Sequence, residues 1–151
     1  MTALETDALA KLISAKRECL RQLRQLGRKQ SDLIEGGEIT ALLDVLAAKQ
    51  RPLIELQRIE RALDRFRDQD PDRRRWRTPR DRQLCAEQLQ QCEALLSEIV
   101  SQEKCSEAAL IRRRDEAASR LQGAHLAQRA SGAYGGQMHG VASQLDLSSD
   151  T

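Results

Sequence analysis

Aromatic residues are nearly missing from this sequence: one Trp, one Tyr and one Phe, 2% of 151 residues. So few rings argue against a thick globular core and against most enzymes. No apolar run approaches the roughly 20 residues of a membrane span. The first residues, with Glu5 and Asp7, lack the apolar stretch of a secretory signal. The expected compartment is therefore the cytoplasm, with thiols reduced. Charge of one sign is also missing. A net charge of +2 gives the whole molecule no strong pull towards nucleic acid or anionic lipid. Asn is absent and Arg outnumbers Lys 20 to 5, a compositional bias more than a functional sign.

Chemistry-bearing motifs are missing too. There is no Gly-rich phosphate loop, nucleophile elbow or metal-binding helix motif. His125 and His139 have no acidic or thiol cluster beside them in the sequence and are expected on the surface. Cys19, Cys85, Cys92 and Cys105 include no pair two to four residues apart, the usual spacing within a zinc half-site. On one helix, Cys85 and Cys92 would sit roughly 10 Å apart, too far for a disulfide. Both are expected as small core residues on a seam with Leu89, Leu96 and Ile99. No catalytic residue, metal or cofactor is expected, and the chain is not expected to be an enzyme.

What is present is helical spacing. Apolar residues recur at Leu9, Leu12/Ile13, Leu20, Leu23, Leu26 and Leu33/Ile34. They recur again at Ile39, Leu42/Leu43, Leu46, Leu53, Leu56, Ile59, Leu63 and Phe66. Alternating steps of three and four place each set on one helix face. Between them stand Gly36 and Gly37, able to take the positive φ that ends a helix, and Glu38, suited to starting the next. The spacing predicts an antiparallel hairpin of helices over about 2–35 and 38–68. Pro52 interrupts the second stripe without changing its phase, which predicts a kink or two abutting helices.

Two prolines and a loss of period make 68–80 a loop. Thr78 and Pro79 then open a third helix over about 79–131. Its stripe is Leu84/Cys85, Leu89, Cys92, Leu95/Leu96 and Ile99/Val100, thinning to Cys105, Ala108/Ala109, Leu110/Ile111, Ala117/Ala118, Leu121 and Leu126. From Ser131 the glycines multiply, and 132–151 is expected as a flexible Gly- and Ser-containing tail. The fold class is all-α: a long hairpin plus a third long helix in a slender bundle.

Two features point to partners. The loop Arg73-Arg74-Arg75-Trp76-Arg77 could pair with phosphates and stack a base, but Asp68, Asp70, Asp72 and Asp81 dilute its field, and Trp76 could instead plug the bundle end. Leu110, Ile111, Leu121 and Leu126 lie beyond the reach of the hairpin. They would be covered by a fold-back or a homodimer, or would form a strip for an amphipathic segment of another protein.

The run from Asp32 to Glu60 resembles the first hairpin of FlgN-type flagellar export chaperones. It has a turn with Gly and an acid (Gly36-Gly37-Glu38), then repeated Leu at Leu42-Leu43, Leu46, Leu53 and Leu56. Lys49-Gln50 stands near the middle and Ile59-Glu60 continues the run. The resemblance implies a small cytoplasmic helical chaperone. Such a protein binds the amphipathic C-terminal helices of flagellar hook–filament junction proteins and delivers them to the type III export gate. It implies client binding at the C-terminal part of the third helix, with Leu110, Ile111, Leu121 and Leu126 as the residues concerned. It also implies export-gate docking by Tyr134, just past that helix. The alternatives are a homo-oligomeric coiled-coil scaffold without a client and, third, a nucleic-acid-binding helical protein using the Arg73–Arg77 loop.

Overall fold

The computed structural model describes the backbone of residues 4–145 and the side chains of residues 4–134. The elements in order are α1 (Glu5–Gly36), α2 (Ile39–Arg67), a single 3₁₀ turn (Pro71–Arg73) and α3 (Pro79–Leu145). The described residues contain no strand, and the fold is all-α. Contacts divide the chain into two units, Met1–Leu110 and Ile111–Thr151.

The first unit is a three-helix bundle. Gly37, at φ 69°, ends α1. Its N–H donates to the Ile34 carbonyl and the Glu38 N–H to the Leu33 carbonyl, closing the tight turn that reverses the chain. Lys16 pairs with Glu60 across the hairpin at 2.7 Å, and Lys49 donates to Gln30 at 2.8 Å. These two cross-links run in opposite sequence directions, as antiparallel helices require. α3 runs parallel to α1, since Ile13 meets Cys92, Arg24 meets Glu98 and Ser31 meets Ser106 in ascending order. Pro52 lies buried inside one continuous α2, so it does not split the helix. Thr78 caps α3, its hydroxyl accepting the Asp81 N–H at 3.1 Å.

The core falls into two clusters. The larger joins Leu9, Ile13, Leu20 and Leu23 of α1 to Ile59, Leu63 and Phe66 of α2 and to Cys85, Cys92 and Leu95 of α3. The smaller is Ile34, Leu42 and Ala109. Between them in sequence order lie buried Gln30, Lys49 and Ser106, with Glu103 also bonded to the Lys49 ammonium. Gly27 belongs to the same polar layer. A Cβ on it would stand 2.5 Å from the Gln102 amide oxygen, and only the lack of a side chain lets that amide approach α1 and donate to the Arg24 carbonyl at 3.2 Å.

Several expected faces are corrected. On α2 the expected core residues Ile39, Leu43, Leu46 and Leu53 are exposed, while Lys49 is buried. On α3, Leu89 and Leu96 leave the expected cysteine seam and are exposed. The seam runs through Cys85, Cys92 and Leu95, with Ile99 half-buried against it. Cys105 is exposed, and Ser106 and Ala109 take the inner positions. Ser106 turns inward at the polar layer, where its hydroxyl bonds that of Ser31.

In the second unit, α3 continues helically to Leu145, later than the expected end at residue 131. Gly132, Gly135, Gly136 and Gly140 lie within that helical backbone. Each costs roughly 1 kcal/mol relative to Ala but does not forbid a helix. The last part of the expected tail, 146–151, and the side chain of His139 lie outside the described residues.

Candidate partner-binding surface

The site residues expected from sequence are all on α3 and all exposed. Leu110, the last residue of the first unit, is 36% exposed. In the second unit the values are 42% for Ile111, 73% for Leu121, 56% for Leu126 and 70% for Tyr134. Every side chain from Arg114 to Tyr134 is exposed, so no apolar residue of this stretch is covered. At about 100° per residue, Ile111 lies between Leu121 and Leu126, which are about 140° apart, and Tyr134 stands about 80° beyond Leu126. The three aliphatic residues therefore share one broad face of the helix, and Tyr134 stands past its Leu126 edge. On the side of the helix away from that face, Arg120 pairs with Glu116 at 3.8 Å. The aliphatic face offers non-directional apolar burial, the requirement for receiving an amphipathic helix.

The sequence reading missed a second apolar face on α2. Ile39 (58%), Leu43 (60%) and Ile54 (64%) are strongly exposed, with Leu46 and Leu53 beside them. At about 100° per residue these five share one side of α2, turned away from Ile59 and Phe66. A shallow groove of about 940 Å³ along α1 and α2 is lined by Leu26, Ala47, Pro52 and Ile54, among others. The signal was available in the sequence: α2 has Leu at both 42 and 43 and Leu-Ile at 53 and 54, more apolar positions than one face can bury.

The Arg–Trp loop is bound to its own bundle. Arg77 forms a fork to the Asp7 carboxylate at 2.8–3.1 Å, and this partner holds the Asp7 carboxyl below its usual range. Thr6 donates its hydroxyl to the Arg75 carbonyl at 2.7 Å, and Arg74 donates to the Phe66 carbonyl at 2.8 Å. Trp76 is half-buried and packs against the larger core cluster. The bundle-end reading of Trp76 is the one the geometry carries.

For chemistry the molecule offers little. Burial raises the Cys19, Cys85 and Cys92 thiols above their ordinary pKa, which disfavours the nucleophilic thiolate. Among the described residues no group of three or more His, Cys, Asp or Glu is placed to hold a metal ion. No helix of the described residues is long and apolar enough to cross a membrane. No protein-family model matches the chain, and no curated protein or solved structure matches it.

Proposed function

We propose that the protein is a non-enzymatic cytoplasmic chaperone of the flagellar type III export type. Its clients would be the amphipathic C-terminal helices of hook–filament junction proteins, held on the strip of Ile111, Leu121 and Leu126 together with Leu110, before delivery to the export gate. The observation that carries this reading is the exposure of Leu121 and Leu126, at 73% and 56%, on an unbroken helix. Leucines kept in water across several helical turns are a cost without a partner, and burying one side chain returns about 1.5–3 kcal/mol. A client helix with an apolar face is the chemical complement, and masking such a face before secretion is what a chaperone does. Tyr134, past the Leu126 edge of that face and about two turns further along the helix, would meet the export gate while the client is bound.

The test is binding of a junction-protein C-terminal helix to Leu121→Asp and Leu126→Asp variants. Each should reduce affinity by at least about tenfold, the loss of one buried aliphatic side chain, and leave thermal melting unchanged. Tyr134→Ala should keep client affinity and lose gate binding. Unfolding of the Leu121→Asp protein would place that residue in a core and end the proposal.

The second reading, a homo-oligomeric scaffold, is favoured by the exposed α2 face. Light scattering of the purified chain against a Leu43→Asp variant separates the two. A dimer dissolved by Leu43→Asp supports the scaffold, whereas a wild-type monomer supports the chaperone.

A further inference from the structure

A cavity of about 460 Å³ opens at the end of the bundle, between the start of α1, the end of α2 and the loop after it. Its apolar lining comes from Leu4 and Phe66, and its polar lining includes Arg73, Arg74 and Arg75. The volume lies within the range of small-molecule sites, and the mixture of an apolar wall with a few convergent polar groups is their usual composition. The residues of the candidate client strip, Leu110, Ile111, Leu121 and Leu126, and Tyr134 are not among its lining.

The charges around the cavity are unbalanced. Asp70 lies 3.7 Å from the Arg73 guanidinium, and Glu5 accepts a hydrogen bond from the Gln69 amide at 3.1 Å. Three guanidiniums against these two carboxylates leave one positive charge. Arg74 is held by one nitrogen on the Phe66 carbonyl, yet its Nε is buried with no hydrogen-bond partner. A buried charged donor left unpaired costs more than almost any other polar defect, and it asks for an acceptor. Arg75 has no carboxylate partner of its own among the described residues. Its backbone is pinned by Thr6, so its side chain starts from a fixed place beside the cavity.

We propose that this cavity binds a single carboxylate attached to an apolar group. The carboxylate would take hydrogen bonds from the Arg74 Nε and from Arg75, and the apolar group would lie against Leu4 and Phe66. One negative charge matches the one uncompensated positive charge, whereas a phosphate dianion would overcompensate it next to Glu5 and Asp70. Two sources carry this chemistry: the free C-terminal residue of a protein chain, and a free small carboxylic acid.

The experiment is titration of the full chain, followed by amide chemical shifts, with N-acetyl-leucine and with N-acetyl-leucine amide. The acid should shift signals of residues 4–6 and 69–75 and the amide should not. Arg75→Gln, at an exposed side chain, should weaken the acid about tenfold, the loss of one charge-assisted hydrogen bond. Arg74→Met should do the same, with circular dichroism checking that the bundle remains folded. A peptide ending in Leu that binds more tightly than N-acetyl-leucine identifies a chain end as the source. Equal binding identifies a small acid, and both outcomes support the site. Equal response to acid and amide, no response to either, or inorganic phosphate binding as well as the acid would overturn it.

Discussion

Lys49 is the residue on which the interior of the bundle turns. It occupies a core position of α2, 8% exposed, and its ammonium reaches Gln30 of α1 and Glu103 of α3. One side chain thereby ties all three helices at one level. Removing the ammonium leaves buried Gln30 unpaired, which costs about 1–3 kcal/mol, while Glu103 keeps access to solvent. Lys49→Met should therefore destabilise the protein by about that amount in urea denaturation, although Met fits the space. Lys49→Met combined with Gln30→Leu should recover most of the loss, because no buried polar group is then stranded and Glu103, 45% exposed, is solvated. If the double variant is no better than the single one, Gln30 is satisfied by other means and the network account fails. Reactivity also divides at this scale. Cys105 is exposed while Cys19, Cys85 and Cys92 are buried with raised thiol pKa values. Alkylation of the native protein should label Cys105 first, and mass spectrometry after a brief pulse should find the other three protected until denaturant is added.

At the scale of elements, the start of α1 and the loop before α3 hold each other through Asp7. Its carboxylate accepts the Leu4 N–H at 3.1 Å and the Arg77 fork, and Arg77 is the larger cause of its depressed pKa. A carboxyl whose folded pKa lies below its unfolded value of about 3.9 stabilises the fold at pH values above that figure. The contribution fades as the pH falls through the folded pKa. Asp7→Asn should accordingly be less stable than the wild type at neutral pH, and the gap between the two should close on acidification below about pH 4. Thermal melts across that range check it, and a constant gap would mean that the ion pair contributes nothing. Element boundaries were legible from local chemistry: Gly36-Gly37 and Thr78-Pro79 mark helix ends by conformational freedom and capping. Helix faces were less so. Where apolar residues stand side by side, as at Leu42-Leu43 and Leu95-Leu96, the 3.6 period does not say which one turns inward. Tertiary partners chose Leu42 and Leu95. A Lys at an inward position has no sequence signature at all, since its burial depends on Gln30 and Glu103 arriving from other helices. The helical backbone of α3 runs on to Leu145, since glycine lowers helix propensity without ending a helix that has begun.

At the scale of the whole molecule, the buried core and the exposed apolar residues of the far part of α3 are separated along the chain. The buried residues, both core clusters and the polar layer all lie between Thr6 and Ala109. From Arg114 to Tyr134 nothing is buried. Hydrophobic burial is the dominant favourable term in folding, so the first unit contains what holds the fold and the described part of the second contributes almost none of it. The candidate strip of Leu121 and Leu126 and the candidate docking residue Tyr134 lie in the part the fold does not need. This arrangement lets a binding surface stay apolar without being drawn into the core, and it has a direct consequence for truncation. A chain ended after Arg114 should melt within about 4 °C of the full-length protein, a shift corresponding to roughly 1 kcal/mol or less for a bundle of this size. Its amides between Cys85 and Ala109 should remain protected in hydrogen exchange, whereas in the full chain those from Glu116 to Tyr134 should exchange early, as expected for helix without buried side chains. The truncated chain should also lose binding of the proposed amphipathic client helix while keeping the cavity lined by Leu4, Phe66 and Arg73–Arg75. A large drop in melting temperature on truncation would show that residues beyond Arg114 complete the core, and the separation of folding from binding would fall with it.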